Sequence, residues 1–173
     1  HKDVNKARKQ KAQFADECGF WKWIQFEFDS EWQALRKYCH KKGIVIIGDM
    51  PIYVAHDSMD VWQAPGQFLL DEKFNPTVVA GVPPDGFSPD GQLWGNPIYN
   101  WKLMKEDGFK WWKNRVRASF NLYDILRIDH FRGFAGYYTV PYGDTTARNG
   151  WWESAPGIEL FKAINETFPK AKI

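Results

Sequence analysis

Leu126-Arg127-Ile128-Asp129-His130-Phe131-Arg132-Gly133-Phe134 reads as a buried strand that delivers charged groups at its exit. Side chains alternate along a strand, so Ile125, Arg127, Asp129 and Phe131 share one side while Leu126, Ile128 and His130 share the other. A guanidinium and a carboxylate thus stand two residues apart on one face among apolar neighbours. Burying an unpaired ion is expensive, and here the partner comes with the sequence. Arg127 favours the ionised form of Asp129, the form a carboxylate needs to act as a nucleophile at neutral pH. A structural Arg–Asp pair at a strand end accounts for the same spacing equally well.

The remainder of the chain limits the choices. Its 173 residues suffice for one ordinary domain with a sizeable core. A net charge of +2 is too small to suggest a nucleic-acid partner. The one basic run, Lys2 to Lys11, includes Asp3 and reads as a solvated helix face. No apolar run is long enough to span a bilayer, so no membrane partner is expected. Cys18 and Cys39 lack metal-ligand spacing and form no disulfide framework, which favours a reducing compartment. None of the four histidines is paired at metal-binding spacing, and no phosphate-cradling glycine motif occurs, so neither metal nor cofactor is expected. Asn165-Glu166-Thr167 matches a glycosylation acceptor but lies in an apparent amphipathic helix. Aromatic residues make up 17% of the chain, and those set among Gly and Pro suit stacking on sugar rings.

Working outward, apolar residues at three- and four-residue spacing predict helices over 20–42, 102–123 and 157–168. Gly43 stops the first, and Ile44-Val45-Ile46-Ile47 follows as a strand covered on both faces, ending in Gly48-Asp49-Met50-Pro51. Residues 51–100 show little periodicity and read as a long functional loop. A loop rich in Tyr, Gly and Trp follows Phe134, and Lys170-Ala171-Lys172-Ile173 resembles a strand beginning. Strands alternating with helices imply a parallel sheet, either doubly wound or a piece of a (β/α)8 barrel. Both place active groups at the carboxyl ends of strands, where Asp49 and Asp129 fall. Two full strands fall far short of a closed barrel of roughly 250 residues, so the chain reads as an excerpt.

Paired carboxylates are the tools of glycoside chemistry, one attacking the sugar carbon and one protonating the leaving oxygen. Asp49 could equally accept backbone hydrogen bonds and shape its turn. Trp94, between glycines in Gly91-Gln92-Leu93-Trp94-Gly95-Asn96-Pro97, suits a ligand cover or a plug on its own loop. His56-Asp57-Ser58 holds triad residue types, but consecutive side chains diverge; a turn with a helix cap fits better.

Together with Ile47–Val54, His56–Ser58, Val79–Asp85, Gly91–Pro97 and Arg127–Phe134, nearly the whole chain resembles the 4-α-glucanotransferases, the amylomaltase or disproportionating enzymes of the α-amylase clan. The resemblance implies a retaining transferase on a (β/α)8 TIM barrel, with 1–173 its central portion, 51–100 a long substrate-covering insertion after one strand, and no separate second domain. It implies that Asp129 is the nucleophile forming a glycosyl-enzyme intermediate and Arg127 the neighbour that keeps it ionised. It makes Asp49 and His130 liners of the sugar site, and places Trp94, Gln92 and Asp85, also substrate-binding residues, on a loop that folds over the cleft and favours a sugar acceptor over water. Gly86 stands where many relatives carry a bulkier residue. The implied partners are α-1,4-glucans such as maltooligosaccharides and starch, and the remainder of the parent barrel. The implied location is the cytoplasm, or a plastid for a plant protein.

The family's acid/base Glu and third carboxylate belong to later strands, the Glu motif being expected just beyond Ile173. No Glu here is expected at a strand exit: Glu31 and Glu106 belong on or beside helices and Glu153 in a loop. The isolated chain is therefore expected to be inactive. Two other readings are a non-catalytic glucan-binding or structural module and an α-glucan hydrolase of the same clan.

Overall fold

The computed structural model describes residues 12–173, so the basic run Lys2–Lys11 lies outside the described residues. The chain divides into two compact units, one ending at Ile46 and one spanning Ile47–Ile173.

The first unit holds helix α1, Ala15–Lys41, which starts earlier than its apolar spacing suggests. Asp16 and Glu17 in its first turn and His40 and Lys41 in its last complement the helix dipole. Gly43, at φ +72°, ends it and donates its N–H to the His40 carbonyl. The predicted apolar stripe forms, and Phe28 and Trp32 stack along it with ring centroids 6.0 Å apart, but α1 contains no buried residue.

In the second unit, strand β1 is Ile47–Met50 and pairs in parallel with a later strand, Ile125–Ile128, called β4 below. Only the last residue of the predicted Ile44–Ile47 strand is extended into the ladder. Nor is that run covered on both faces: Ile44, Val45 and Ile47 are exposed. An apolar run specifies burial without saying what buries it, and β1 pairs with β4 alone among the described residues. Gly48, Met50, Leu126 and Ile128 form the buried face; Ile47, Asp49 and Arg127 form the open one. Gly48 is required by that packing, since a Cβ there would stand 2.0 Å from the Tyr123 ring.

The segment 51–100 is not one loop. It contains helix α2 (Met59–Gln63), a 3-10 turn (Pro65–Gln67) and strands β2 (Val78–Val82) and β3 (Gln92–Pro97). The Ser58 hydroxyl caps α2 by accepting the Val61 N–H at 3.5 Å, as the turn reading of His56–Ser58 anticipated. The predicted helix 102–123 is two helices, α3 (Trp101–Glu106) and α4 (Lys110–Leu122). Gly108 and Phe109, at φ +70° and +58°, break it, a left-handed pair that apolar spacing cannot reveal. After β4 (Ile125–Ile128) the chain runs through a 3-10 turn (Phe131–Phe134) into β5 (Gly136–Pro141), β6 (Trp151–Ser154) and helix α5 (Gly157–Thr167).

Thus β5 and β6 replace the expected loop, and with β2 and β3 they form an antiparallel sheet ordered β3-β2-β5-β6. Trp94 and Glu153, both expected on loops, lie on strands. The final residues are not a strand, although Leu126 N–H donates to the Lys172 carbonyl at 2.9 Å, one bond on the outer edge of β4. The core is aromatic, with Trp112, Tyr99 and Phe134 almost fully buried. Arg115 of α4 lies over the Trp111 and Trp112 rings and donates to the Pro51 and Ile52 carbonyls at 2.7 and 3.0 Å. These bonds fasten the segment after β1 to α4. No described helix is long and apolar enough to cross a membrane.

Candidate active site

Parallel pairing sets Asp49 directly beside Arg127, and the Asp129 N–H continues the ladder by donating to the Met50 carbonyl at 2.9 Å. Both carboxylates therefore leave adjacent strand ends, with the guanidinium between them. Arg127 Nη1 donates to Asp49 Oδ2 at 2.6 Å and Nη2 to Asp129 Oδ1 at 3.1 Å. All three side chains are more than half exposed, so solvent screening leaves these pairs little weight in stability. Their consequence is orientation: a planar fork holding two carboxylates fixes where their other oxygens point. The expected pairing of Arg127 with Asp129 is present, and the shorter bond to Asp49 is hidden from the sequence because strand register cannot be read from one segment.

Beyond Asp129 the chain turns sharply. His130 adopts φ +49°, unusual for a residue with a Cβ and found where surrounding structure imposes it. Gly133 lets the turn close, since a Cβ there would stand 2.6 Å from Ile52 Cδ1 and 3.1 Å from His130 Cδ2. The imidazole meets Trp94 edge to face, with centroids 4.8 Å apart. Partial burial holds its pKa below the ordinary value; the Asp129 carboxylate opposes this shift and Arg132 adds to it.

Trp94 does not plug its own loop. From β3 its indole reaches His130 and, at 6.2 Å between centroids, Tyr53, while its Nε1 donates to Gln92 Oε1 at 3.0 Å. Pro51, Ile52, Tyr53, Trp94, Asn96, Asp129 and His130 line a cavity of about 180 Å³. That lies below the roughly 300–1,000 Å³ of a complete small-molecule site. Asp129, His130 and Trp94 are thus together in the wall, Asp49 and Arg127 adjoin through ion pairs, and Gln92 supports the indole. Asp85 instead holds its own turn, its Oδ1 accepting the Phe87 and Ser88 N–H groups at 2.9 and 2.8 Å.

Two lining residues escaped the sequence reading. Asn96 donates through Nδ2 to the Val54 carbonyl at 3.0 Å, tying β3 to the segment after β1, and Tyr53 is buried beside it. Burial carries the Tyr53 hydroxyl well above the ordinary tyrosine range, with Tyr137 adding to the shift. The available signal was their place in the motifs Pro51-Ile52-Tyr53-Val54 and Gly95-Asn96-Pro97. Glu153 is on β6 and accepts the Trp151 Nε1–H at 2.8 Å, while Glu159 pairs with Lys105 at 2.9 Å. Among the described residues no group of His, Cys, Asp and Glu could hold a metal ion.

Residues 1–173 match the family profile described as 4-alpha-glucanotransferase. The chain is 52% identical to the 4-alpha-glucanotransferase of Clostridium butyricum over 159 residues, 91% of this chain and 33% of that protein. It is 51% identical over 149 residues to the chloroplastic/amyloplastic 4-alpha-glucanotransferase of Solanum tuberosum, 86% of this chain and 26% of that one. Its fold matches amylomaltase from Streptococcus agalactiae, solved in complex with acarbose, with a TM-score of 0.96 and 44% identity over 99% of this chain and 35% of that one. It spans between about a quarter and about a third of the length of these relatives. On this evidence the chain belongs to the 4-alpha-glucanotransferase family.

Proposed function

We propose that the protein containing this chain is a 4-α-glucanotransferase that cleaves an α-1,4-glucan and passes the glycosyl piece to the 4-hydroxyl of another sugar. In this reading Asp129 attacks the anomeric carbon and the leaving sugar oxygen takes a proton from an acid. The acceptor hydroxyl then displaces Asp129 with the proton moving in reverse, so configuration is retained. Arg127 orients the nucleophile through Oδ1. Asp49, His130 and Trp94 contact the sugar beside the scissile bond, and Gln92 and Asp85 stabilise the covering segment.

The observation that carries this reading is the Arg127 bridge joining Asp49 and Asp129 at adjacent parallel strand ends beside the His130–Trp94 wall. Parallel strands ending in functional groups favour a (β/α)8 barrel of which residues 1–173 form the central portion, with 51–100 as its covering insertion. A retaining pair stands roughly 5–5.5 Å apart; Glu153 is held by Trp151, Glu159 by Lys105, and Glu31 and Glu106 lie on helices, so this reading takes the acid from another part of the parent.

The test is disproportionation of maltotriose by the full-length protein. Asp129→Asn keeps size and loses the nucleophile, and activity should fall by several orders of magnitude with the melting temperature little changed. Substantial retained transfer would remove Asp129 from this role. Glucose release without chain lengthening by the wild type would favour hydrolysis.

A further inference from the structure

Between β1 and α2 the backbone leaves the ladder while staying inside the protein, with Ile52, Tyr53 and Val54 buried. Carbonyls outside a ladder need other donors, and here side chains supply them. Arg115 donates through Nη2 to the Pro51 carbonyl and through Nη1 to that of Ile52, at 2.7 and 3.0 Å. The Tyr99 hydroxyl donates to the same Ile52 carbonyl, and Asn96 Nδ2 donates to that of Val54. Burial carries the Tyr99 hydroxyl far above the ordinary tyrosine range, against the opposing charge of Arg115, so it remains a donor. The guanidinium is seated 5.3 and 5.2 Å from the ring centroids of Trp111 and Trp112. Two nitrogens of one planar group, each on its own carbonyl, fix both the position and the tilt of the 51–52 peptide, which a single ammonium cannot do.

That peptide borders the Asp129 site on several sides. Met50, just before it, accepts the Asp129 N–H, and Pro51, Ile52 and Tyr53 line the cavity with Asp129, His130 and Trp94. The Ile52 side chain occupies the space Gly133 leaves open, 2.6 Å from where a Cβ would stand, and so backs the left-handed turn at His130. Tyr53 meets Trp94 with ring centroids 6.2 Å apart. A shift of the 51–52 peptide therefore reaches the nucleophile's strand end, the His130 turn and the Trp94 indole together.

We propose that Arg115 is a positioning residue for the transfer reaction, setting the placement of Asp129 against the His130–Trp94 wall by gripping the Pro51 and Ile52 carbonyls from outside the cavity. This rests on the transferase reading above.

The experiment uses the full-length protein with maltotriose, comparing wild type, Arg115→Lys, Tyr99→Phe and Ile164→Val, a core truncation on α5. Turnover is expressed per active site, counted as the adduct formed to completion with a fluorinated glycosyl fluoride. Lysine keeps the charge and loses the fork, so kcat per site should fall about tenfold with KM changed by less than about twofold. Tyr99→Phe removes one donor to the Ile52 carbonyl and should lower kcat per site in the same direction by less. In Arg115→Lys the His130 pKa, held down by burial with Asp129 opposing and Arg132 adding, should rise toward the ordinary value as the turn loosens. A role confined to folding lowers the melting temperature and the number of sites, as in Ile164→Val, and leaves turnover per site unchanged. Wild-type kcat per site in both Arg115→Lys and Tyr99→Phe overturns the proposal. Wild-type protein that neither transfers between maltotriose molecules nor forms the adduct overturns the transferase reading instead.

Discussion

Arg127 shows how far single residues speak for themselves. Its place two residues before Asp129 was enough to mark a pair worth attention, because charges in an apolar strand need partners. That it grips Asp49 as firmly follows from β1–β4 register, which no single stretch contains. Arg127→Lys keeps the charge and loses the fork, so the full-length protein should lose about 10²-fold in kcat for maltotriose disproportionation, as misaligned reacting groups do. His130 makes a second prediction. Its folded pKa lies below the ordinary 6.5, so between those two values the unfolded chain binds more protons than the folded one. The stability it contributes is whole above about pH 6.5 and is lost as pH falls through the folded value. Imidazole NMR titration of the full-length protein should place His130 below 6.5, and His130→Gln should flatten the stability slope in that window.

Among elements, helices declared themselves and short strands did not. α5 carries apolar residues at helical spacing and its bounds were legible closely, whereas α1 starts several residues before its spacing suggests and α4 could not be told apart from α3. β5 is covered on both faces, so Gly136–Pro141 lacks the alternation by which a strand is recognised, and β2 is interrupted by an irregularity between Val79 and Gly81. Hence the sheet that presents Trp94 was read as loop. Packing predictions belong at this scale. Trp112 of α4 is fully buried against Tyr99 and Phe134, and Trp112→Ala should cost about 3–5 kcal/mol in urea unfolding of the full-length protein. Gly48→Ala would drive a methyl into the Tyr123 ring, and the same measurement should read a loss of about 1–3 kcal/mol.

For the whole molecule, what the sequence reading recovered was the parallel pair and the charged groups at its ends, since both follow from strand chemistry. The surroundings of that pair could not be inferred, because exposure of Ile47 and of the α1 stripe depends on what packs there, not on their own spacing. If the proton donor belongs to another part of the parent, as proposed above, the 173-residue chain alone should give no detectable glucose or chain-lengthened product from maltotriose. The central claim is that Asp129 becomes covalently glycosylated in the full-length protein. A fluorinated glycosyl fluoride slows release of the intermediate, and peptide mass spectrometry after digestion then locates the attached sugar. The account predicts a single adduct on the peptide containing Asp129, absent in Asp129→Asn. A sugar attached to a different carboxylate, with Asp129 unmodified, would contradict it.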